Sequence, residues 1–165
     1  APDGAQVAVE STRLYGDIGS YGNYFVDVLI GGVDPQRASA VVDTASKLCG
    51  FPCRGCEQCG NRPDAPFDFS KSDTAKWAGC SDGVACSRCV DGRCAYTQSY
   101  TESNTVSGKW LRDYVVLGDA FQNSTPVVAK LGCHDADADL FYMQRGNGVF
   151  GMGPGASGRP AILED

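Results

Sequence analysis

Apolar residues in this chain come in short runs and in alternation, and never at helical spacing over a long stretch. Tyr24-Phe25-Val26-Asp27-Val28-Leu29-Ile30 predicts a strand, and Gly31-Gly32 with Asp34-Pro35 predicts the turn after it. Arg37 to Val42 ends in β-branched residues and predicts the returning strand, which delivers Asp43. Ala95 to Tyr100 predicts one arm of a hairpin, Thr101 to Ser107 a polar tip, and Gly108 to Leu117 the other arm. Together these make a long hairpin from Tyr96 to Leu117. Thr125–Leu131 and Gly148–Gly151 predict further short buried strands, and Pro160-Ala161-Ile162-Leu163 the first turn of a helix. Residues 1–12 carry no periodicity and predict a loose entry or an edge strand. There is no internal repeat, and the predicted class is mostly β.

A length of 165 residues suits one domain spanning 1–165 and suffices for a self-contained core. Hydrophobic residues make up 42%, which argues against overall disorder. The formal charge is −6 with the acids scattered, and no basic stripe points to nucleic acid. No apolar run reaches the length of a membrane span. No signal peptide is visible in Ala1-Pro2-Asp3-Gly4, which reads as a processed or trimmed start.

Nine cysteines change the picture most: Cys49, Cys53, Cys56, Cys59, Cys80, Cys86, Cys89, Cys94 and Cys133. The segment from Cys49 to Cys94 is also rich in Gly, Pro, Asp and Ser, and predicts loops and short pieces held by crosslinks. Cys53-x2-Cys56-x2-Cys59 has the spacing that opens an iron–sulfur run, but no fourth cysteine precedes Pro63. Cys86-x2-Cys89 has the spacing of half a zinc site. Disulfides are the preferred reading over metal, and they imply an oxidising compartment. Asn123-Ser124-Thr125 is a glycosylation sequon with Pro126 after it, which fits a secretory route.

The stretch Ala40-Val41-Val42-Asp43-Thr44-Ala45-Ser46 runs a buried strand into a carboxylate flanked by hydroxyls and a small residue. A buried strand does not end in a carboxylate without partners for it. Small residues and hydroxyls suit a tight loop that hydrogen-bonds the carboxylate and admits a substrate backbone. The plainer reading is an Asp that caps its own turn.

His134 beside Cys133 suggests a base–nucleophile pair, but neighbours in a strand point to opposite faces, so the ordinary reading of His134 is preferred. Asp135, Asp137 and Asp139 lack EF-hand spacing and read as a solvated acidic loop. Trp110 and Tyr114 read as packing residues.

The ordered set of motifs resembles the N-terminal lobe of pepsin-like aspartic proteases, and within them the plasmepsin-V-type group of parasite secretory pathways. The motifs that carry this are Leu14-Tyr15-Gly16-Asp17-Ile18, Tyr24-Phe25, Pro35-Gln36-Arg37, the Asp43-Thr44-x-Ser46 loop and Phe51-Pro52-Cys53-x2-Cys56-x2-Cys59-Gly60. Gln98-Ser99-Tyr100, Gly132-Cys133-His134 with Leu140-Phe141, and Gly148-Val149-Phe150-Gly151-Met152-Gly153 complete the order. The resemblance implies that Asp43 is the catalytic aspartate of the first lobe. It places Thr44 at a hydroxyl that bonds across to the other lobe, Ser46 beside the aspartate, and Tyr100 at the flap tyrosine over substrate. Val149-Phe150-Gly151 falls at the strand supporting the active-site loop. Cys53–Cys94 resembles the Cys-rich insertion of nepenthesin-like and plasmepsin-V-type enzymes. Cys49 lies outside the family's cysteine set. The other eight are therefore expected in disulfides, with Cys49 the free thiol.

Three departures bear on function. Ala45 stands where the family has Gly, so its methyl is expected to crowd substrate or a second lobe. Lys47 brings a cation near Asp43, which would favour the ionised carboxylate. The second Asp-Thr/Ser-Gly motif is absent from these residues. The reaction needs two carboxylates sharing one proton, one taking a proton from water and one hydrogen-bonding the peptide carbonyl. The first reading is therefore an aspartic endopeptidase lobe of the secretory pathway, acting on peptide or protein substrate with a C-terminal lobe not in this chain. It implies no cofactor and no metal, and a location in the endoplasmic reticulum, Golgi or outside the cell. The alternative is a degenerate, noncatalytic module that binds peptides or joins an extracellular assembly. A cysteine-ligated metal module is the third reading.

Overall fold

The computed structural model describes residues 11–101, 104–118, 125–137 and 145–155. The described residues form ten strands: β1 (Tyr15–Asp17), β2 (Asn23–Ile30), β3 (Gln36–Asp43), β4 (Cys49–Glu57), β5 (Lys76–Trp77), β6 (Arg88–Val90), β7 (Arg93–Thr101), β8 (Asn104–Leu117), β9 (Val127–Asp137) and β10 (Gly148–Gly151). The hydrogen-bonded order is β1-β2-β3-β10-β4-β9-β8-β7-β6, and β2 also pairs with β8. That last pairing, Val28 opposite Leu117 and Ile30 opposite Val115, closes β2, β3, β10, β4, β9 and β8 into a ring. Closure removes the exposed edges that a flat sheet would leave.

Alternation decides which side chains enter the ring. Val26, Val28 and Ile30 of β2 meet Ala38 and Ala40 of β3, Cys49, Phe51 and Cys53 of β4, Leu111 and Val115 of β8, and Ala129, Leu131 and Cys133 of β9. Phe67 caps this core against Phe51, with ring centroids 5.1 Å apart. On the outer face, Leu48, Tyr96 and Val106 form a second cluster that Tyr100 and Trp110 join. Ala78, Val84 and Cys94 pack a third against Trp110.

The strands expected at Tyr24–Ile30, Arg37–Val42 and Gly148–Gly151 are present, as is the hairpin. Its arms are Arg93–Thr101 and Asn104–Leu117, so the turn is tighter than the polar stretch suggested: Thr101 already pairs with Asn104. The strand expected at Thr125–Leu131 runs instead from Val127 to Asp137. It therefore takes in Asp135, which accepts from Lys109 Nζ at 2.9 Å and from Ser107 Oγ at 3.1 Å, so this part is no solvated loop. Tyr114 is 41% exposed rather than packed.

The largest correction concerns Cys49–Cys94. Its first nine residues are a strand between β10 and β9, with Cys49 through Cys53 buried. Gly50 and Pro52 made this segment read as loop, yet each fits its place. A Cβ at Gly50 would lie 2.6 Å from Gly132 O and 2.6 Å from His134 Nε2, so only glycine allows β4 and β9 to meet there. Pro52 lies beyond the reach of β10, which pairs only with Cys49 and Gly50, so its missing N–H interrupts no ladder with that strand. Its carbonyl instead accepts from Phe67 N at 2.9 Å.

Disulfides join Cys53–Cys133, Cys56–Cys59, Cys80–Cys89 and Cys86–Cys94, and Cys49 is free and buried. Among the described residues no helix is long and apolar enough to cross a membrane. The sequon at Asn123, Asp139 and the helix expected at Pro160–Leu163 lie outside the described residues.

Candidate functional site

Asp43 is the last residue of β3, and β10 runs parallel beside it with Gly151 opposite Asp43. Three further bonds pin the loop after Asp43 to β10: Met152 N to Asp43 O at 2.8 Å, Gly153 N to Ser46 O at 2.8 Å and Gly151 N to Leu48 O at 3.0 Å. The approach is close because residues 151 and 153 are glycines. A Cβ at Gly151 would lie 2.5 Å from Leu48 O, and one at Gly153 2.7 Å from Ser46 O.

The loop wraps one oxygen of the carboxylate. Asp43 Oδ1 accepts from Ala45 N at 2.9 Å and Ser46 N at 3.2 Å, so the side chain does cap its own turn. Among the described residues Oδ2 accepts nothing, and Asp43 is only half-buried. One oxygen is thus fixed by the backbone and the other is left for a partner. Thr44 is exposed and makes no side-chain hydrogen bond among the described residues. Ala45 is exposed and has no left-handed backbone, so its methyl costs this loop no strain. Lys47 forms no ion pair with Asp43; its Cγ lies along Gly153, 3.4 Å from where a Cβ there would be.

Ser46 links this loop to the hairpin. It is buried, its Oγ accepts from Leu48 N at 3.0 Å, and it lies 3.1 Å from the Tyr100 hydroxyl. Tyr100 is half-buried and lies at a bulge, where the register shifts between Ser99, opposite Thr105, and Thr101, opposite Asn104. A bulge bends its strand and re-aims a side chain. Asp43, Ser46 and Tyr100 therefore come together, while Thr44 is exposed and Lys47 lies along Gly153.

Behind the loop, Cys49 Sγ donates to Gly151 O at 3.2 Å and accepts from Gly151 N at 3.1 Å. Burial pushes its thiol up to about 12, against the pull of the Gly151 hydrogen bond and of Lys130. Cys133 is held in its disulfide and His134 is buried against the Tyr96 ring, so the two form no nucleophile–base pair. Among the described residues no three His, Cys, Asp or Glu side chains are grouped to hold a metal.

Sequence reasoning passed over three polar residues that knit the strands together, Asn147 and Asp113 buried and Asp64 half-buried. Asn147 accepts from Asp64 N at 2.8 Å and donates to Asp64 O at 2.9 Å through its side chain, and its N donates to Ser39 O at 2.6 Å. Asp64 in turn accepts from Ser39 N, Ser39 Oγ and Arg37 Nη1, each at 2.7 Å, which ties the insertion to β3. Asp113 is 2% exposed and accepts from Ser72 Oγ at 2.7 Å and Thr74 Oγ1 at 2.5 Å. The alternation Leu111, Asp113, Val115 could have flagged Asp113 as a polar residue in an inward position. Asp64 and Asn147 left no comparable local signal, since their partners lie 83 residues apart.

Comparison with known proteins adds lineage to this geometry. The family described as "Xylanase inhibitor N-terminal" matches residues 24–164. Aspartic protease 5 of Toxoplasma gondii is 38% identical over 92% of this chain and 17% of its own length. Plasmepsin V of Plasmodium falciparum is 35% identical over 85% of the chain and 24% of its own length. Aspartic proteinase nepenthesin-2 of Nepenthes gracilis is 28% identical over 86% of the chain and 32% of its own length. The chain spans less than a third of each of these relatives.

Proposed function

The chain belongs to the pepsin-like aspartic proteases by its match to their N-terminal domain, and from that premise we propose that it is the N-terminal catalytic lobe of a secretory-pathway aspartic endopeptidase. The observation that carries this reading is the Asp43 loop, where two backbone amides hold Oδ1 and Oδ2 takes no partner among the described residues. In this reading Asp43 supplies one of the two carboxylates that share a proton around the attacking water. The second comes from a C-terminal lobe outside these residues. Thr44, exposed beside Asp43, faces that lobe, and Tyr100 closes over the peptide from the hairpin. Four disulfides suit an oxidising compartment, which supports a secretory or extracellular location.

The second reading is a noncatalytic peptide-binding or structural module. The observation favouring it is Ala45, whose methyl is exposed at the loop where substrate and a second lobe would approach.

A peptide-cleavage assay separates the two. The isolated chain should cleave nothing at any pH, since one carboxylate cannot act as both base and acid. Joined to a lobe that carries the second aspartate, it should cleave peptides in a manner blocked by a transition-state mimic. Asp43→Asn should abolish that cleavage, and Ala45→Gly should preserve or raise it. Cleavage by the isolated chain would overturn the two-lobe requirement. A two-lobe protein that stays inactive with Ala45→Gly would favour the noncatalytic module.

A further inference from the structure

Cys56 and Cys59 lie 3 positions apart, bridged across Glu57 and Gln58, whereas the other three disulfides span 80, 9 and 8 positions. In the chain-entropy account the shortest loop restricts the unfolded chain least, so this bridge adds least to stability. Its turn is also strained. Gln58 has a φ of +57°, and Asp91 is the only other non-glycine among the described residues with such left-handed backbone. A residue of this kind is uncommon there and persists only where its surroundings hold it. The bridge across the turn is one such hold.

Cys56 gives access to the bond. It is half-buried and lines a cavity of about 540 Å³ with Arg54 and Lys109. Cys53 and Cys133 line the same cavity, but they are only 7% and 5% exposed. Cys59 is the buried partner, and Arg62 Nε donates to its carbonyl at 2.6 Å. That guanidinium favours a thiolate on Cys59, against the opposing effect of burial.

The same side chain reaches further. Arg62 Nη1 donates to Gly146 O at 2.6 Å, one residue before the Asn147 that bonds Asp64 and Ser39. β10 starts at Gly148 and ends at Gly151, opposite Asp43. The turn is thereby joined to the lead into the strand that pins the Asp43 loop. Cys89 is more exposed than Cys56, but it lies on β6, at the far end of the strand order from β3 and β10.

We propose that Cys56–Cys59 is an exchangeable disulfide, opened by a dithiol reductant, that clasps the lead into β10. A thiolate of the dithiol attacks Cys56 Sγ, forming a mixed disulfide and releasing Cys59 as a thiolate. The second thiol of the reductant then attacks its own sulfur in the mixed disulfide and releases Cys56 as a thiolate. The reductant leaves as a disulfide, two electrons pass to the two cysteines, and the two protons it gave up end on their sulfurs. Opening lets Gln58 return to ordinary backbone, shifts the Cys59 carbonyl and loosens the grip of Arg62 on both carbonyls. The clasp acts on the strands beside Asp43 and holds whether or not the lobe is catalytic.

The experiment is a dithiothreitol titration of the native chain at pH 8, quenched by alkylation and read by peptide mapping, with hydrogen exchange on the reduced form. Cys56 and Cys59 should become alkylated at a reductant concentration at least tenfold below that needed for Cys53 and Cys133. Amides of residues 146–151 should then exchange at least fivefold faster, while those of β7 keep their protection. Cys56→Ser with Cys59→Ser should reproduce the faster exchange without reductant, and Cys80→Ser with Cys89→Ser should leave it unchanged. If the first pair of substitutions prevents folding by circular dichroism, opening the bridge with dithiothreitol in the Cys80→Ser, Cys89→Ser chain carries the same expectation. Opening of Cys56–Cys59 only together with Cys53–Cys133 would overturn the exchange site. Equal protection of residues 146–151 with the bridge open and closed, or an equal gain in exchange from the Cys80–Cys89 replacement, would overturn the clasp.

Discussion

The Tyr100 hydroxyl lies 3.1 Å from Ser46 Oγ, and Ser46 N donates to the Asp43 carboxylate at 3.2 Å, so one residue joins the hairpin to the loop that holds the aspartate. Tyr100→Phe keeps the ring against Leu48, Tyr96 and Val106 but removes the hydroxyl. The expected cost is about 1 kcal/mol, the ordinary net worth of one hydrogen bond. The sharper expectation is local. Amide hydrogen exchange between Gln98 and Ser107 should quicken, while the β2–β3 amides keep their protection. Equal change in both regions would mean that Tyr100 serves general packing rather than docking of the hairpin.

Gly132 lies beneath the same cluster. A Cβ there would sit 2.5 Å from the Tyr96 hydroxyl, 2.8 Å from Tyr96 Cζ and 3.0 Å from Leu48 Cδ1. Gly132→Ala must therefore displace the Tyr96 ring or the Leu48 side chain, at about 1–3 kcal/mol of overpacking. Tyr96 packs on Trp110 with ring centroids 4.4 Å apart, so the near-ultraviolet dichroism should change as the melting temperature falls. An unchanged spectrum with unchanged stability would show that the backbone yields instead.

These two sites also mark how far the sequence can be read. β2, β3, the hairpin and β10 announce themselves through alternation or short apolar runs between turn residues, because each signal is local. The Asp43 loop is legible for the same reason: hydroxyls, a small residue and a later Gly-x-Gly stretch are all visible in the string. The central strand β4 is not legible. Its Gly50 answers to Gly132 and His134, and its Pro52 to where β10 stops, and both constraints come from residues far along the chain. Closure of the ring by β2 and β8 is likewise non-local, as is the bond set between Asp64 and Asn147. Tyr100 is an intermediate case. Its place near a hairpin tip is local, but the bulge that re-aims it depends on how Ser99 and Thr101 find their partners.

Cys49 should behave as a silent thiol. It is 2% exposed, and burial raises it from an ordinary value of 9.0 to about 12. Ellman's reagent at pH 8 should find no thiol in the native chain and one after unfolding without reductant. The raised value also sets a sign for stability. The folded state keeps the proton that the unfolded state gives up above about pH 9. Stability from this group is thus full below pH 9 and is lost as pH rises toward 12. The slope approaches about 1.4 kcal/mol per pH unit. Wild type should lose stability faster than Cys49→Ala between pH 9 and 11 in denaturant titrations. Parallel curves for the two proteins would contradict it.

The crosslinks should differ in what they stabilise. Cys53–Cys133 joins β4 to β9 and closes a span of 80 residues, whereas Cys80–Cys89 closes 9. In the chain-entropy account the longer loop restricts the unfolded chain more, by about 4–5 kcal/mol against about 2–3 kcal/mol. Cys86–Cys94 overlaps the shorter loop and already restrains it, which lowers the second figure further. Position works in the same direction. Cys53 and Cys133 lie in the main core with Phe51, Phe67 and Leu131, so losing their bond loosens the ring. Cys80 and Cys89 lie in the stapled outer loop, away from that core. Replacing Cys53 and Cys133 together by Ser should lower the melting temperature well beyond replacing Cys80 and Cys89 together, at roughly 2–4 °C per kcal/mol for a chain of this size. The second pair should instead raise proteolytic cutting between residues 80 and 89, with a smaller fall in the melting temperature. Paired calorimetric melts and a timed protease digest read both effects. A larger thermal loss from the Cys80–Cys89 replacement would place the stabilising crosslinks in the outer loop and not in the barrel.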